Sequence, residues 1–139
     1  MTPLALKEAE TDLFSFANLD PSKIKTRKVY LDSQHNQMTT FEIGDPGKPK
    51  MVLVHGYGSS GALSYKLWQY LEPEFHIFAV DLIGMGSSSR PPFECRNGQE
   101  ADDYMCEFFE AWRVAINITD FTLVGHSYGA YIAGMYACR

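Results

Sequence analysis

Long apolar runs are missing from this 139-residue chain, and none of its segments could span a bilayer. Positive charge is also in short supply. Lys and Arg number 12 against 17 Asp and Glu, a net charge of −5. No basic face is on offer to a phosphate backbone, which argues against a nucleic-acid partner. The N-terminal stretch MTPLALKEAETDLFSF is charged and lacks a continuous apolar core, so it does not read as a secretory signal. Cysteine is scarce. Cys95, Cys106 and Cys138 are odd in number, have no metal-ligand spacing, and read as reduced, buried thiols of a cytoplasmic protein. Internal repeats and low-complexity tracts are absent. What is present is ordinary for a globular chain, with 45% apolar residues in a length that holds one domain at most.

A first helix is expected within residues 1–20, with Leu6, Ala9, Leu13 and Phe16 on one stripe and Lys7, Glu8, Glu10 and Asp12 off it. Asn18-Leu19-Asp20-Pro21 ends it. Docking on its own domain is the expected use of that stripe, and a membrane-surface position is the alternative. Residues 26–139 read as part of a single domain. Thr26–Leu31 and Met38–Ile43 alternate as strands, and the turn chemistry of Asp32-Ser33-Gln34-His35-Asn36 joins them as a hairpin. Asp45-Pro46-Gly47-Lys48-Pro49 is a solvated loop. Met51–Val54, His76–Val80 and Phe121–Val124 are short apolar runs, as expected for buried strands. Ala62–Leu71 reads as a helix with Leu63, Leu67, Tyr70 and Leu71 inward. Asn97 caps a longer helix with Glu100 three residues on, burying Tyr104, Phe108, Trp112 and Ala115. Tyr128 onward is a last helix. A hairpin followed by β-α-β-α-β-α predicts an α/β fold, a mostly parallel sheet with helices on both faces.

Open sheets of this kind gather active groups beyond the carboxyl ends of their strands, here in loops 55–61, 81–90 and 125–129. Gly125-His126-Ser127-Tyr128-Gly129 is a G-x-S-x-G between an apolar strand and an apolar helix, the context of a nucleophile elbow. Such a turn thrusts Ser127 Oγ above the sheet and leaves no room for a Cβ at either flanking glycine. It also points the first N–H groups of the following helix at the site. The earlier loop, Gly56-Tyr57-Gly58-Ser59-Ser60-Gly61, has two readings. As G-x-G-x-x-G, with Asp81 20 residues past Gly61, it spells a dinucleotide fingerprint. As the loop after a third strand it supplies an oxyanion donor, the Tyr57 N–H, to work with the Tyr128 N–H. The second reading accounts for both glycine loops by one mechanism and is preferred, with a dinucleotide-binding domain as the alternative.

His55-Gly56-Tyr57-Gly58, then Asp81-Leu82-Ile83-Gly84-Met85-Gly86-Ser87-Ser88-Ser89-Arg90-Pro91, then the GHSYG elbow resemble the α/β-hydrolase family, in that order. LKEAETDLFSF near the N-terminus and FFEAWR in the long helix are similar to one branch. That branch holds the lipid-droplet lipase co-activator and the N-acyl-phosphatidylethanolamine lipase. The resemblance covers nearly the whole chain. It implies a serine hydrolase of esterase or lipase type, acting on acyl-ester or N-acyl phospholipid substrates through an acyl-enzyme on Ser127. It implies no metal and no organic cofactor, and leaves open a peripheral contact with membranes or lipid droplets. The co-activator lacks the nucleophilic serine, which is present here. Tyr128 and Ala130 stand where the branch tends to have Leu and Gly, which bears on substrate fit because Tyr128 would act through its backbone.

After Ser127 only YGAYIAGMYACR follows, with no histidine and no carboxylate, whereas a serine nucleophile needs both. The order in this fold is Ser, then acid, then His. Upstream, His55 is expected to brace the glycine loop, His126 is the elbow's x position, His35 lies in a turn and His76 in a strand. His76-x4-Asp81 matches an H-x4-D pattern that the resemblance links with acyltransferase activity. Strand positions five apart face opposite sides, so the match reads as coincidence, and Asp81 is expected to shape its own loop. The expectation is the N-terminal half of a hydrolase, truncated after the elbow and its helix and inactive by itself. Strand 121–124 would then be an open edge with room for a protein partner. The competing reading is a non-catalytic regulator or interaction module of lipid metabolism.

Overall fold

Five strands build one sheet in the computed structural model, which describes residues 3–17 and 19–139. Asn18, the first residue of the predicted break, lies outside the described residues, as do residues 1 and 2 of the predicted helical segment. The strands are β1 (Lys25–Tyr30), β2 (Gln37–Ile43), β3 (Lys50–Val54), β4 (His76–Val80) and β5 (Thr122–Gly125), in spatial order β1-β2-β4-β3-β5. β1 and β2 form the expected antiparallel hairpin, closed where Asp32 Oδ1 accepts from the N–H groups of Gln34 and Asn36. β2 is antiparallel to β4, and β3 lies parallel to both β4 and β5. β2 alone therefore runs against the rest, and the three parallel strands deliver the 55–61, 81–90 and 125–129 loops to one edge.

Side chains alternate across the sheet as a period of two requires. Met51, Leu53, Ile77 and Ala79 face α1 (Pro3–Phe16) and α2 (Tyr65–Leu71). Val52, Val54, Phe78 and Val80 face α3 (Gly98–Ala115) and α4 (Tyr128–Ala137). One fully buried tryptophan anchors each layer. Trp68 of α2 meets Phe14 and Phe41 with ring centroids 5.2 and 6.1 Å away. Trp112 of α3 donates its indole N–H to Thr40 Oγ1 at 2.8 Å, bolting the helix to β2. Truncating either ring to alanine costs about 3–5 kcal/mol. Asn97 Oδ1 caps α3 by accepting from the Glu100 N–H at 3.0 Å, as its sequence predicts.

The inward faces of three helices differ from the expected ones. In α1, Ala9 and Phe16 point to solvent, and Phe16 is 80% exposed. The helix is rolled so that Phe14 meets Phe41 and Trp68, which carries Glu10 toward the sheet. The helix after β3 begins as a 3-10 turn over Gly61–Ser64, with three residues per turn instead of 3.6. That changes its phase, so Ala62 and Trp68 go inward while Leu63, Leu67 and Tyr70 stay exposed. In α3 the buried set is Met105, Cys106, Phe109 and Trp112. Tyr104 and Phe108 are half-buried beside Phe93, and Ala115 is exposed. β5 is not a buried strand but an edge that, among the described residues, pairs only with β3, with Thr122 and Val124 exposed. The cysteines are all free thiols, but only Cys106 is buried. Cys106 is on the inner face of α3, whereas Cys95, in the loop before that helix, is half-exposed and Cys138, just past α4, is exposed.

Candidate active site

β5 ends at Gly125 and α4 starts at Tyr128, so the chain must reverse within His126 and Ser127. It does so by placing Ser127 at φ 53° and ψ −121°. A non-glycine residue there carries about 1–3 kcal/mol of strain. Packing over-determines the turn. A Cβ on Gly125 would lie 2.4 Å from Gly129 O, and one on Gly129 would lie 2.3 Å from Val54 O. The His126 N–H donates to Val54 O at 3.0 Å, and the Gly129 N–H donates to His126 O at 2.9 Å. Ser127 is thereby presented to solvent above the ends of β3 and β5.

The loop after β3 closes against that turn. A Cβ at Gly56 would be 3.3 Å from both His126 Nδ1 and Ser127 Cβ, so only a glycine fits comfortably between the two. Gly58 takes φ 66°, which returns the chain toward α2. Among the described residues neither the Tyr57 N–H nor the Tyr128 N–H donates to a protein acceptor. Their rings meet edge to face at 6.1 Å, and the Tyr128 ring stacks on Tyr131 at 6.3 Å. Tyr131 in turn donates its hydroxyl to both oxygens of Asp102 at 2.9 and 2.8 Å. That hydrogen bond holds the Tyr131 phenol above the ordinary tyrosine range, while burial, then the charge of Asp102, raises Tyr128.

His55 and Asp81 support the glycine loop from beneath. His55 Nε2 accepts the Leu82 N–H at 3.0 Å, so Nδ1 carries the hydrogen and donates it to Gly56 O at 2.7 Å. Asp81 is fully buried. Its Oδ1 accepts from Ser60 Oγ at 2.9 Å and the Gly61 N–H at 2.7 Å, and its Oδ2 accepts from the Ser87 N–H at 2.7 Å. A carboxylate so enclosed is not presented to the ribose of a dinucleotide. Ser88 completes the tie, donating its hydroxyl to Asp81 O and accepting the Thr39 N–H at 2.9 Å. Sequence reasoning did not single out Ser60, Ser87 or Ser88. Ser60 sits in the first glycine loop and Ser87 and Ser88 in the serine run after Gly86, and what they do depends on where Asp81 sits.

The histidines are dispersed. His76 opens β4 and bonds Glu42 at 2.8 Å. Asp81 follows the other end of that strand, roughly 17 Å away at ~3.3 Å per residue. His35 lies in the β1–β2 turn, and none of the four histidines hydrogen-bonds to Ser127 Oγ. Beside the elbow lies a largely apolar cavity of about 380 Å³, bounded by Gly56, Leu63, Leu67, Val124 and His126. It borders the site without including Ser127. Among the described residues no group of three His, Cys, Asp or Glu side chains could hold a metal ion.

The family described as alpha/beta hydrolase fold matches residues 49–139 of this chain. The chain is 39% identical to a 1-acylglycerol-3-phosphate O-acyltransferase of Arabidopsis thaliana over 85% of its own length and 28% of that protein's. It is 30% identical to the 1-acylglycerol-3-phosphate O-acyltransferase ABHD5 of Rattus norvegicus, over 96% of this chain and 37% of the relative. Among solved structures it is similar to a bacterial membrane phospholipase A, with a TM-score of 0.79 and 25% identity. That match covers 98% of this chain and 40% of the other. The chain thus spans well under half the length of each.

Proposed function

This chain belongs to the α/β-hydrolase fold family, and from that premise we propose that it supplies the nucleophile and oxyanion hole for acyl chemistry on lipid esters or N-acyl phospholipids. Ser127 is the nucleophile, and the N–H groups of Tyr57 and Tyr128 form the hole. Gly56, Gly58, Gly125 and Gly129 shape the two turns that hold them. The observation that carries the reading is Ser127 at φ 53°, exposed, beside two backbone donors that no acceptor among the described residues takes. Ser127 Oγ attacks the acyl carbonyl carbon while its proton passes to a base, and the carbonyl oxygen becomes an oxyanion between the two N–H groups. Collapse expels the protonated alcohol or amine and leaves the acyl group on Oγ. Water then completes hydrolysis, whereas a lipid hydroxyl completes acyl transfer. The relatives' names support lipid esters as the substrate class, and the apolar cavity beside the elbow supports an acyl chain within reach of the serine.

Among the described residues no base hydrogen-bonds to Ser127 Oγ, so the histidine and its orienting acid come from residues outside these 139, and the 139 residues alone are inactive. A cytoplasmic setting, with peripheral contact to membranes or lipid droplets, belongs to the same proposal. Among the described residues no helix is long and apolar enough to cross a membrane. A fluorophosphonate applied to the protein isolated from its own cells is expected to form an adduct on Ser127, lost in Ser127→Ala. Acyl turnover with Ser127 unmodified would sink the reading.

A second reading rests on β5. Its unpaired edge, with Thr122 and Val124 exposed, suits a non-catalytic module that pairs with another chain. A monodisperse heteromeric complex without labelling of Ser127 would favour it, and a labelled monomer would reject it.

A further inference from the structure

Helix α1 does not close down on the hairpin. Between α1, β1 and the loop after β4 lies an open cavity of about 890 Å³, within the ~300–1,000 Å³ usual for small-molecule sites. None of the elbow or oxyanion-hole residues lines it. Leu6, Pro21 and Ile24 give it an apolar wall, and Lys7, Lys28 and Arg90 give it a cationic rim. Among the described residues those three cations have no carboxylate partner, in a chain with a net charge of −5. Arg90 is held by the carbonyl oxygens of Ser88 and Gly86 at 3.1 and 3.0 Å, which orient the guanidinium without cancelling its charge. Arg27 also borders the cavity but is committed to Glu42 at 3.1 Å. Glu10 is half-buried, and among the described residues it is the one carboxyl in the lining and that carboxyl has neither hydrogen bond nor ion pair.

We propose that this cavity binds a single-chain amphiphile with an anionic head. The chain lies along Leu6, Pro21 and Ile24, and the head sits among Lys7, Lys28 and Arg90. An apolar wall beside an uncompensated cationic rim matches both ends of such a ligand, whereas a neutral or cationic head would leave the rim unpaired. Glu10 makes the site sensitive to pH. Burial first, and the Asp81 carboxylate second, push it up to about 7. The charged groups around it are Lys7 on α1, Arg27 and Lys28 on β1, Arg90 beyond β4, and Asp81 beneath. Below neutrality Glu10 keeps its proton and can donate to the head. Above neutrality it ionises and repels the head.

The test is calorimetric titration of the full protein, as produced in its own cells, with laurate, with acetate as the head alone, and with dodecyltrimethylammonium as the chain with the opposite charge. Laurate is expected to bind saturably, at least about tenfold more tightly than either comparator. Binding should be stronger near about pH 6 than near about pH 8.5. Lys7→Glu/Lys28→Glu should weaken laurate at least about tenfold, while Lys50→Glu/Lys66→Glu, with the same change in net charge, should not. Equal binding of laurate and dodecyltrimethylammonium would overturn the proposal, as would equal effects of the two double variants. If the first double variant fails to fold, Glu10→Gln decides. Loss of the pH dependence supports the site, and an unchanged pH dependence overturns it.

Discussion

Asp81 is fully buried, yet among the described residues it has no cationic partner, and its oxygens are taken by Ser60, Gly61 and Ser87. Two loops far apart in sequence are therefore held against each other by one side chain. Asn at this position keeps the shape but replaces one acceptor oxygen by a donor that faces a donor. Asp81→Asn is expected to cost about 2–3 kcal/mol in urea unfolding and to speed hydrogen exchange at the Gly61 or Ser87 amide. Unchanged stability and exchange would mean that these loops stand without the tie. At this scale the elbow was legible, because Gly125 and Gly129 flank a serine in a strand-to-helix context. The need for Gly86 was not. It arises because a Cβ there would lie 2.1 Å from Asp81 Oδ2, a contact that exists only once the loop has folded around the carboxylate.

Among the elements, α1 shows what an apolar stripe leaves undecided. Leu6, Ala9, Leu13 and Phe16 form a regular stripe, but the partner surface offers a slot between Phe41 and Trp68 that Phe14 fills, at 4% exposure. Phe14→Ala is expected to cost about 3–4 kcal/mol. Phe16→Ala should cost no more than about 0.5 kcal/mol. Chemical denaturation of the pair separates the two faces, and similar losses would place the helix on the other one. The same roll brings Glu10 inward. Its carboxyl is raised from 4.5 to about 7 in the folded protein, so the folded state binds the extra proton between those values. Stability then falls as pH rises from about 4.5 to about 7 and levels off above. Partial solvent exposure reduces the effect to about 1–2 kcal/mol. Glu10→Gln should flatten that slope, and urea midpoints measured across the interval check it. At the other side of the molecule, Arg113, then Tyr136, hold Glu110 down to about 2, so its contribution is full above about pH 4.5 and is lost as pH falls from there through about 2.

For the whole molecule, the order of strands places β5 at one margin, with Val124 and the neighbouring Leu63 and Leu67 exposed around the 380 Å³ cavity. Exposed edges with apolar side chains pair with other chains. The 139-residue protein is expected to associate as its concentration rises, and Val124→Lys should reduce that association, as sedimentation velocity can show. A monomer at all concentrations would remove the edge as an interaction surface. The sequence by itself determined the element order, the three loops at the carboxyl edge of the sheet, the strand-to-helix turn at Ser127 and the family. Each rests on local signals, a two-residue or helical period, a cap such as Asn97, or glycines at fixed spacing around a serine. Only the tertiary structure decided which helix faces are buried, that Asp81 and His55 tie the loops together, and that the cavity under α1 exists. Those depend on which surfaces meet. A helix is buried on the side its partner can accept, and a polar side chain gains its role from donors that folding brings within 3 Å of it.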